Sequence, residues 1–180
     1  MSGARREAAG ERRLFFALWP TPELRASTLA APAGSLAEAG ARAVPAENLH
    51  VTLAFLGATP AERLDAVLAC GRGLAAARGT VTFDRLVAWG RAGPLVLEPT
   101  APAPALAALH GALRNRLVAA GFQLESRDFQ PHITLAWKLS RRPAAASIPP
   151  LVWPFDGFVL VDSEAGPTGS RYTVLARFPG

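Results

Sequence analysis

The sequence predicts an α+β chain built from two related lobes, with mixed or antiparallel sheets. Three observations lead there. Strand-like and helix-like segments follow one another in the order β α β α β β α β β β. Each half of the chain carries one strand of the pattern H-[VI]-T-L-A-aromatic, HVTLAF from His50 and HITLAW from His132. Half of the 180 residues are apolar, enough to bury one sizeable core.

The elements follow in order. RLFFALWP, from Arg13 to Pro20, is β-prone and closed by a proline, a first strand. Thr21 then offers an N-cap hydroxyl, Pro22 takes the first helical position and Glu23 stands in the first turn, so TPELRASTLAAPAGSL starts as a helix. VPAENLHVTLAFLG is a strand led in by a turn and stopped by Gly57. Thr59, with Pro60 next, caps a second helix that runs through Cys70. TVTFDRLVAWG and PLVLEP are strands joined by a turn at RAGP. APAPALAALHGALRNRLVAAG is a third helix closed by Gly121. FQPHITLAWKL is a strand, and FDGFVLVDSE with SRYTVLARF alternates as a closing hairpin. Residues 1–12, charged and rich in Ala and Gly, read as a disordered basic tail before a single domain over 13–180.

The bulk numbers narrow the function classes. No apolar run approaches the roughly 20 residues that span a bilayer, so no membrane partner is expected. The formal charge is +5, and part of it lies in Arg5, Arg6, Arg12 and Arg13 near the N-terminus. That is a mild bias toward anionic partners, short of the footprint of a high-affinity nucleic-acid binder. The single cysteine allows no intrachain disulfide. Cys70 falls in a helical pattern and is expected to be buried and inert, which favours the reducing cytoplasm.

The chemistry concentrates in the repeated motif, which takes two of the three histidines. Side chains alternate along a strand. His50, Thr52 and Ala54 therefore share one face, as do His132, Thr134 and Ala136, while Val51, Leu53 and Phe55, like Ile133, Leu135 and Trp137, face the core. His and Thr two positions apart lie roughly 6.5–7 Å apart along such a face. Two such strands brought together give two imidazoles and two hydroxyls around one cavity. Histidine titrates near neutrality, so one ring can accept a proton while the other donates one. Threonine hydroxyls can donate to phosphoryl oxygens or hold the rings. A cyclic phosphodiester needs little more, because its ring supplies both the strain and the leaving group. A metal site lacks a third ligand at suitable spacing, and His110, mid-helix in ALHGAL, reads as a packing or surface residue.

At these residues the chain resembles the two-histidine (2H) phosphoesterase superfamily, and more narrowly the RNA 2',3'-cyclic phosphodiesterases, also called 2'-5' RNA ligases. LFFALWP with PELR is similar to the family's opening strand and helix, ENLHVTLAFLG and DFQPHITLAW to its two motifs, and VDSEAGPTGSRYTVLARF, with Ser163, Arg171 and Tyr172, to its closing hairpin. The resemblance implies a bilobal fold of two pseudo-symmetric lobes around a central cleft. It implies hydrolysis of a terminal 2',3'-cyclic phosphate on RNA to a 2'-phosphate, with no metal and no cofactor. It further implies His50 as the acid that protonates the leaving 3' oxygen and His132 as the base that activates water, roles that exchange in ligation. The expected partners are RNA ends bearing 2',3'-cyclic phosphate or 2'-phosphate, tRNA fragments among them, met by a monomer. Relatives commonly place a basic residue after the second motif, as in HITL-x-R. Here Trp137 stands there and Lys138 follows, so either Lys138 supplies the phosphate contact or Trp137 stacks on a base. Arg127, Arg141 and Arg142 can guide RNA, and Phe55 and Phe129 can stack on bases. Two other functions fit the motif pair: action on another small cyclic phosphate, and non-catalytic binding of an RNA end.

Overall fold

The computed structural model describes residues 10–72, 74, 78–166 and 169–180. Residues 1–9 of the expected tail lie outside them. The boundary after residue 12 falls too late, because β1 spans Glu11–Leu18. Arg12 is fixed there by the Asp162 carboxylate, 3.1 Å from its Nη1. Then come α1 (Pro22–Ala30), α2 (Ala33–Glu38), β2 (Arg42–Ala43), β3 (Val51–Pro60), α3 (Leu64–Arg72), β4 (Arg78–Ala88), β5 (Leu95–Glu98), α4 (Pro104–Ala119), β6 (Ile133–Trp137), β7 (Ala146–Gly166) and β8 (Gly169–Pro179).

Every pairing between the described strands is antiparallel. They form a closed ring in the order β1–β3–β6–β5–β4–β7, with β7 returning to β1, while β8 extends β7 and β2 adds to β6. β7 runs through both lobes. Up to Asp156 it pairs β4, and from Gly157 it pairs β8 and β1. One lobe therefore holds β1, β3, β8 and the end of β7, and the other holds β2, β4, β5, β6 and its beginning. Their motif strands meet at one pair, Val51 against Ile133.

β7 begins at Ala146, well before the FDGFVLVDSE stretch that alternates as a strand, and its early half carries the prolines of IPPLVWP. Here β4 is its one partner among the described strands, so the prolines sit on an edge strand, where proline is tolerated. Pro149 and Pro150 fall at the register break between Phe83 and Arg85.

Leu14, Phe16 and Leu18 of β1 enter the main core, while Phe15 and Ala17 face a smaller cluster with Val159 and Val161. β1 is thus buried on both faces, which is why its sequence is a continuous apolar run. α4 packs on the main core through Leu106, Leu109, Leu113 and Leu117, a buried stripe at helical spacing. Truncating any one of them to Ala costs on the order of 2–5 kcal/mol.

The helix signals fare unevenly. Thr21 caps α1, its Oγ1 accepting from the Leu24 N–H at 3.2 Å. Pro32 then separates α1 from α2. α4 ends as expected at Gly121, whose φ of +79° closes the helix. The Phe122 N–H bonds to the Leu117 carbonyl and the Gly121 N–H to that of Val118, both at 2.9 Å. Thr59 is no cap: it is buried inside β3 and its hydroxyl donates to the Gly57 carbonyl at 3.2 Å. Nor does Gly57 stop that strand. With φ +70° it sits at a bulge, Leu14 facing Gly57 and Phe15 facing Phe55. Pairing with β1 carries β3 on to Pro60.

Candidate active site

The two motifs lie where the lobes meet. An antiparallel register through Val51 and Ile133 sets His50 against Thr134 and His132 against Thr52. All four side chains line one cleft of about 1140 Å³. Neither imidazole is sealed in the core.

Both rings are oriented the same way. The Nδ1–H of His50 donates to the Asn48 carbonyl at 2.7 Å, and that of His132 donates to the Gln130 carbonyl at 2.9 Å. Each acceptor belongs to the residue two before the histidine. A donated Nδ1–H leaves Nε2 as the titrating nitrogen of both rings. For His50, the Thr52 hydroxyl donates to Nε2 at 3.0 Å. Asn48 is a positioning residue that motif reading passes over. Its buried side-chain amide donates to the Ser170 carbonyl of β8 at 2.7 Å, pinning the backbone that holds His50.

The surroundings of the two rings differ. Phe15, Trp19 and Tyr172 enclose His50, with ring centroids at 4.9, 6.1 and 5.4 Å. Burial pushes the His50 pKa down from 6.5 to about 4, against the Asn48 carbonyl, which favours the charged ring; a proton on His132 disfavours one on His50 as well. Burial also lowers the His132 pKa, opposed by the Gln130 carbonyl and by the negative charge of Glu98. Tyr172, at the cleft wall, has its hydroxyl pKa raised by burial.

The expected alternation beyond the threonines fails identically in both strands. Thr52 pairs Ala17 and Ala54 pairs Phe16, leaving Leu53 as an extra residue. Thr134 pairs Val96 and Ala136 pairs Leu95, leaving Leu135 extra. Each motif thus carries a bulge at its leucine. Ala136 is consequently buried away from the cleft, and Ala54, though buried, still borders it. Phe55 and Trp137 turn out of the core into the cleft, 41% and 49% exposed.

Lys138 also lines the cleft, at the only non-glycine positive φ (+54°) among the described residues. Arg127 reaches the cleft but is engaged by the Glu125 carboxylate, with Nε 3.0 Å from Oε2. Phe129 lies in the lining, stacked on His110 at 4.0 Å. His110 is therefore a cleft residue that sequence reasoning placed elsewhere; its Nδ1–H donates to the Leu53 carbonyl at 2.7 Å. Arg142 instead binds the Trp89 carbonyl at 2.8 Å. Three arginines that motif reading did not single out, Arg13, Arg42 and Arg114, line the cleft, and Arg13 lies over the Phe55 ring at 5.5 Å. Among the described residues no group of three or more His, Cys, Asp or Glu side chains is gathered as for a metal ion. Cys70 is buried, which raises its thiol pKa, and lies outside the cleft lining. No helix among the described residues is long and apolar enough to cross a membrane.

Comparison with known proteins joins this geometry to a family. Residues 20–167 match the model of the 2'-5' RNA ligase superfamily. The RNA 2',3'-cyclic phosphodiesterase of Thermus thermophilus is 35% identical over 184 residues, covering 92% of this chain and 89% of that protein. The Escherichia coli protein of the same name is 33% identical over 171 residues, covering 93% and 96%. The crystal structure of E. coli LigT complexed with 3'-AMP superimposes with a TM-score of 0.84 at 30% identity, covering 94% and 98%.

Proposed function

The chain belongs to the 2'-5' RNA ligase superfamily, and from that premise we propose that it hydrolyses the 2',3'-cyclic phosphate at an RNA end to a 2'-phosphomonoester. One observation carries the reading: two Nε2 nitrogens, each freed by a carbonyl that holds the opposite Nδ1–H, face a shared cleft from the paired H-x-T-L strands.

The chemistry balances with these groups alone. His132 takes a proton from water as the oxygen attacks phosphorus, and the P–O3' bond breaks. His50 gives its Nε2 proton to the departing 3' oxygen. Water is consumed, and a proton returned from His132 to His50 restores the pair. Burial favours the neutral form of both rings, so a phosphodiester anion between them is what charges one. His50, the more desolvated, has the greater need of that anion to serve as acid. In ligation the roles exchange. Thr52 and Thr134 supply hydroxyls to the non-bridging oxygens, and Arg13, Arg42 and Lys138 supply positive charge where Trp137 replaces the basic residue usual in the family.

A cleft of about 1140 Å³ exceeds a usual small-ligand pocket and suits several nucleotides. Phe55 and Trp137 offer two exposed rings for their bases. The protein acts as a monomer in the cytoplasm in this reading, a reducing compartment suited to the buried thiol of Cys70.

The test is an oligoribonucleotide ending in a 2',3'-cyclic phosphate, incubated with the protein and EDTA. Conversion to a 2'-phosphate end is expected. Ends that stay cyclic overturn the reading, and tight binding without turnover makes the protein an end-binding module. Faster hydrolysis of cyclic mononucleotides than of oligonucleotides reassigns the substrate.

A further inference from the structure

Across the sheet, one row of side chains leads to His132. Arg85 of β4 pairs Glu98 of β5, and the β5–β6 register through Leu97 and Ile133 sets Glu98 directly opposite His132. Residues opposite one another in antiparallel strands project to the same face. Glu98 nevertheless does not line the cleft. The indole of Trp89 stands between: its ring lies 4.3 Å from the His132 ring by centroids, and its Nε1–H donates to Glu98 Oε2 at 3.0 Å. Arg85 holds the other carboxylate oxygen, Nε to Oε1 at 2.8 Å, with Nη2 also in contact. The Glu98 side chain is only 15% exposed. Trp89 is itself anchored, its N–H bonding the Pro94 carbonyl at 2.9 Å and its carbonyl accepting from Arg142 at 2.8 Å. Among the described residues no equivalent stands behind His50, which has aromatic rings alone.

We propose that Glu98, acting through Trp89, is a positioning residue for His132: it fixes the indole that backs the imidazole and keeps a negative charge behind the ring, screened from the substrate phosphate. This rests on His132 being one of the two proton-transfer groups. A carboxylate at the cleft surface would repel an anionic substrate. Covered by an indole, it favours the charged imidazole without meeting the phosphate. The other charged and titratable groups of the cleft around His132 are His50 across the strand pair, Lys138 beyond its own strand, Arg42 of β2, Arg114 of α4, and Glu125, Arg127 and Asp128 on the preceding segment, with the Arg85 and Arg142 guanidiniums already named. Of these, Glu125 and Asp128 share the sign of Glu98, and Glu125 is paired with Arg127.

The test is titration of the histidine rings by NMR in the ligand-free full chain, with His132 assigned by its loss in His132→Asn. Glu98→Gln keeps an acceptor for the indole and removes the charge. Its expected effect is a His132 midpoint lower by about half a pH unit or more, with a smaller change at His50. Glu98→Asp, which retains the charge, is expected to stay near the native midpoint. Trp89→Phe keeps a ring and loses the donor; kcat on the cyclic-phosphate oligonucleotide should fall roughly 10-fold or more with KM little changed, the low end of the range for a supporting shell. The limb of the kcat/KM profile that reports His132 should shift with the NMR midpoint. A Glu98→Gln protein whose His132 titrates as in the native chain overturns the proposal. A native chain that leaves cyclic ends intact overturns the functional reading instead, while the titration still decides the role of Glu98.

Discussion

Around His50 the walls are aromatic. Phe15, Trp19 and Tyr172 surround the ring, its Nε2 receives the Thr52 hydroxyl, and its pKa falls to about 4. Around His132 a single indole stands guard, tied to a carboxylate, and the Thr134 hydroxyl makes no hydrogen bond among the described residues. Yet the two strands share a sequence pattern, a carbonyl two residues back, a bulge at the leucine and an aromatic turned into the cleft. The backbone repeats and the environment does not. Proton transfer in two directions needs that combination: equivalent placement brings both nitrogens to one phosphorus, and unequal surroundings separate their affinities for the proton.

The largest break in this comparison comes from removing either ring. His50→Ala and His132→Ala should each lower kcat/KM on the cyclic-phosphate oligonucleotide by about 10²–10⁴-fold. The double variant should be little worse than either single one, since the pair works as a unit. Either variant at the native rate would end the proposal of a shared site.

Next comes acid stability. The His50 pKa lies below its unfolded value, so its stabilising contribution is complete above about pH 6.5 and lost as the pH falls through about 4. Unfolding free energy should therefore fall less between pH 7 and 4 in His50→Gln than in the native chain, by up to about 3 kcal/mol. His132→Gln should act in the same direction and by less, because Glu98 opposes the effect of burial there. Equal slopes in the two variants would erase the electrostatic contrast.

The aromatic pair sharpens the comparison at the substrate. Phe55→Ala and Trp137→Ala should each raise KM for an oligonucleotide by roughly 5–100-fold, from about 1–3 kcal/mol per stacked base. Cyclic mononucleotides should lose affinity to one of the two changes alone. Smallest is the threonine pair. Thr52→Val removes a donor to neutral His50, so it should raise the His50 midpoint by a few tenths of a pH unit. Thr134→Val should leave His132 where it is, a contrast that ring NMR reads directly.

The histidine pair, the apolar stripe of α4 and the closure at Gly121 could be read from the letters, because each depends on spacing within one segment. What escaped depends on partners. The bulges at Leu53 and Leu135 arise from pairing with β1 and β5, and nothing in HVTLAF or HITLAW announces them. A strict period of two therefore puts Phe55 and Trp137 in the core, where the fold turns them into the cleft, and Ala136 on the cleft face, where the fold buries it. Thr59 carries every local mark of a cap, and β1 overrides it by drawing β3 onward to Pro60. The prolines of β7 look prohibitive until the strand proves to be an edge. Glu98 was silent because it precedes Pro99 in an ordinary strand, and only the cross-strand row reveals what it faces.

The strands close on themselves like a hoop, and the motif strands are its clasp, fastened at Val51 and Ile133 alone. β7 is common to both lobes, and its partners change between Asp156 and Gly157, so a bend there would part the lobes without unfastening any of its own ladder bonds. The span between the two imidazoles then depends on the Val51–Ile133 clasp, which is in place when the chain folds, before any RNA arrives.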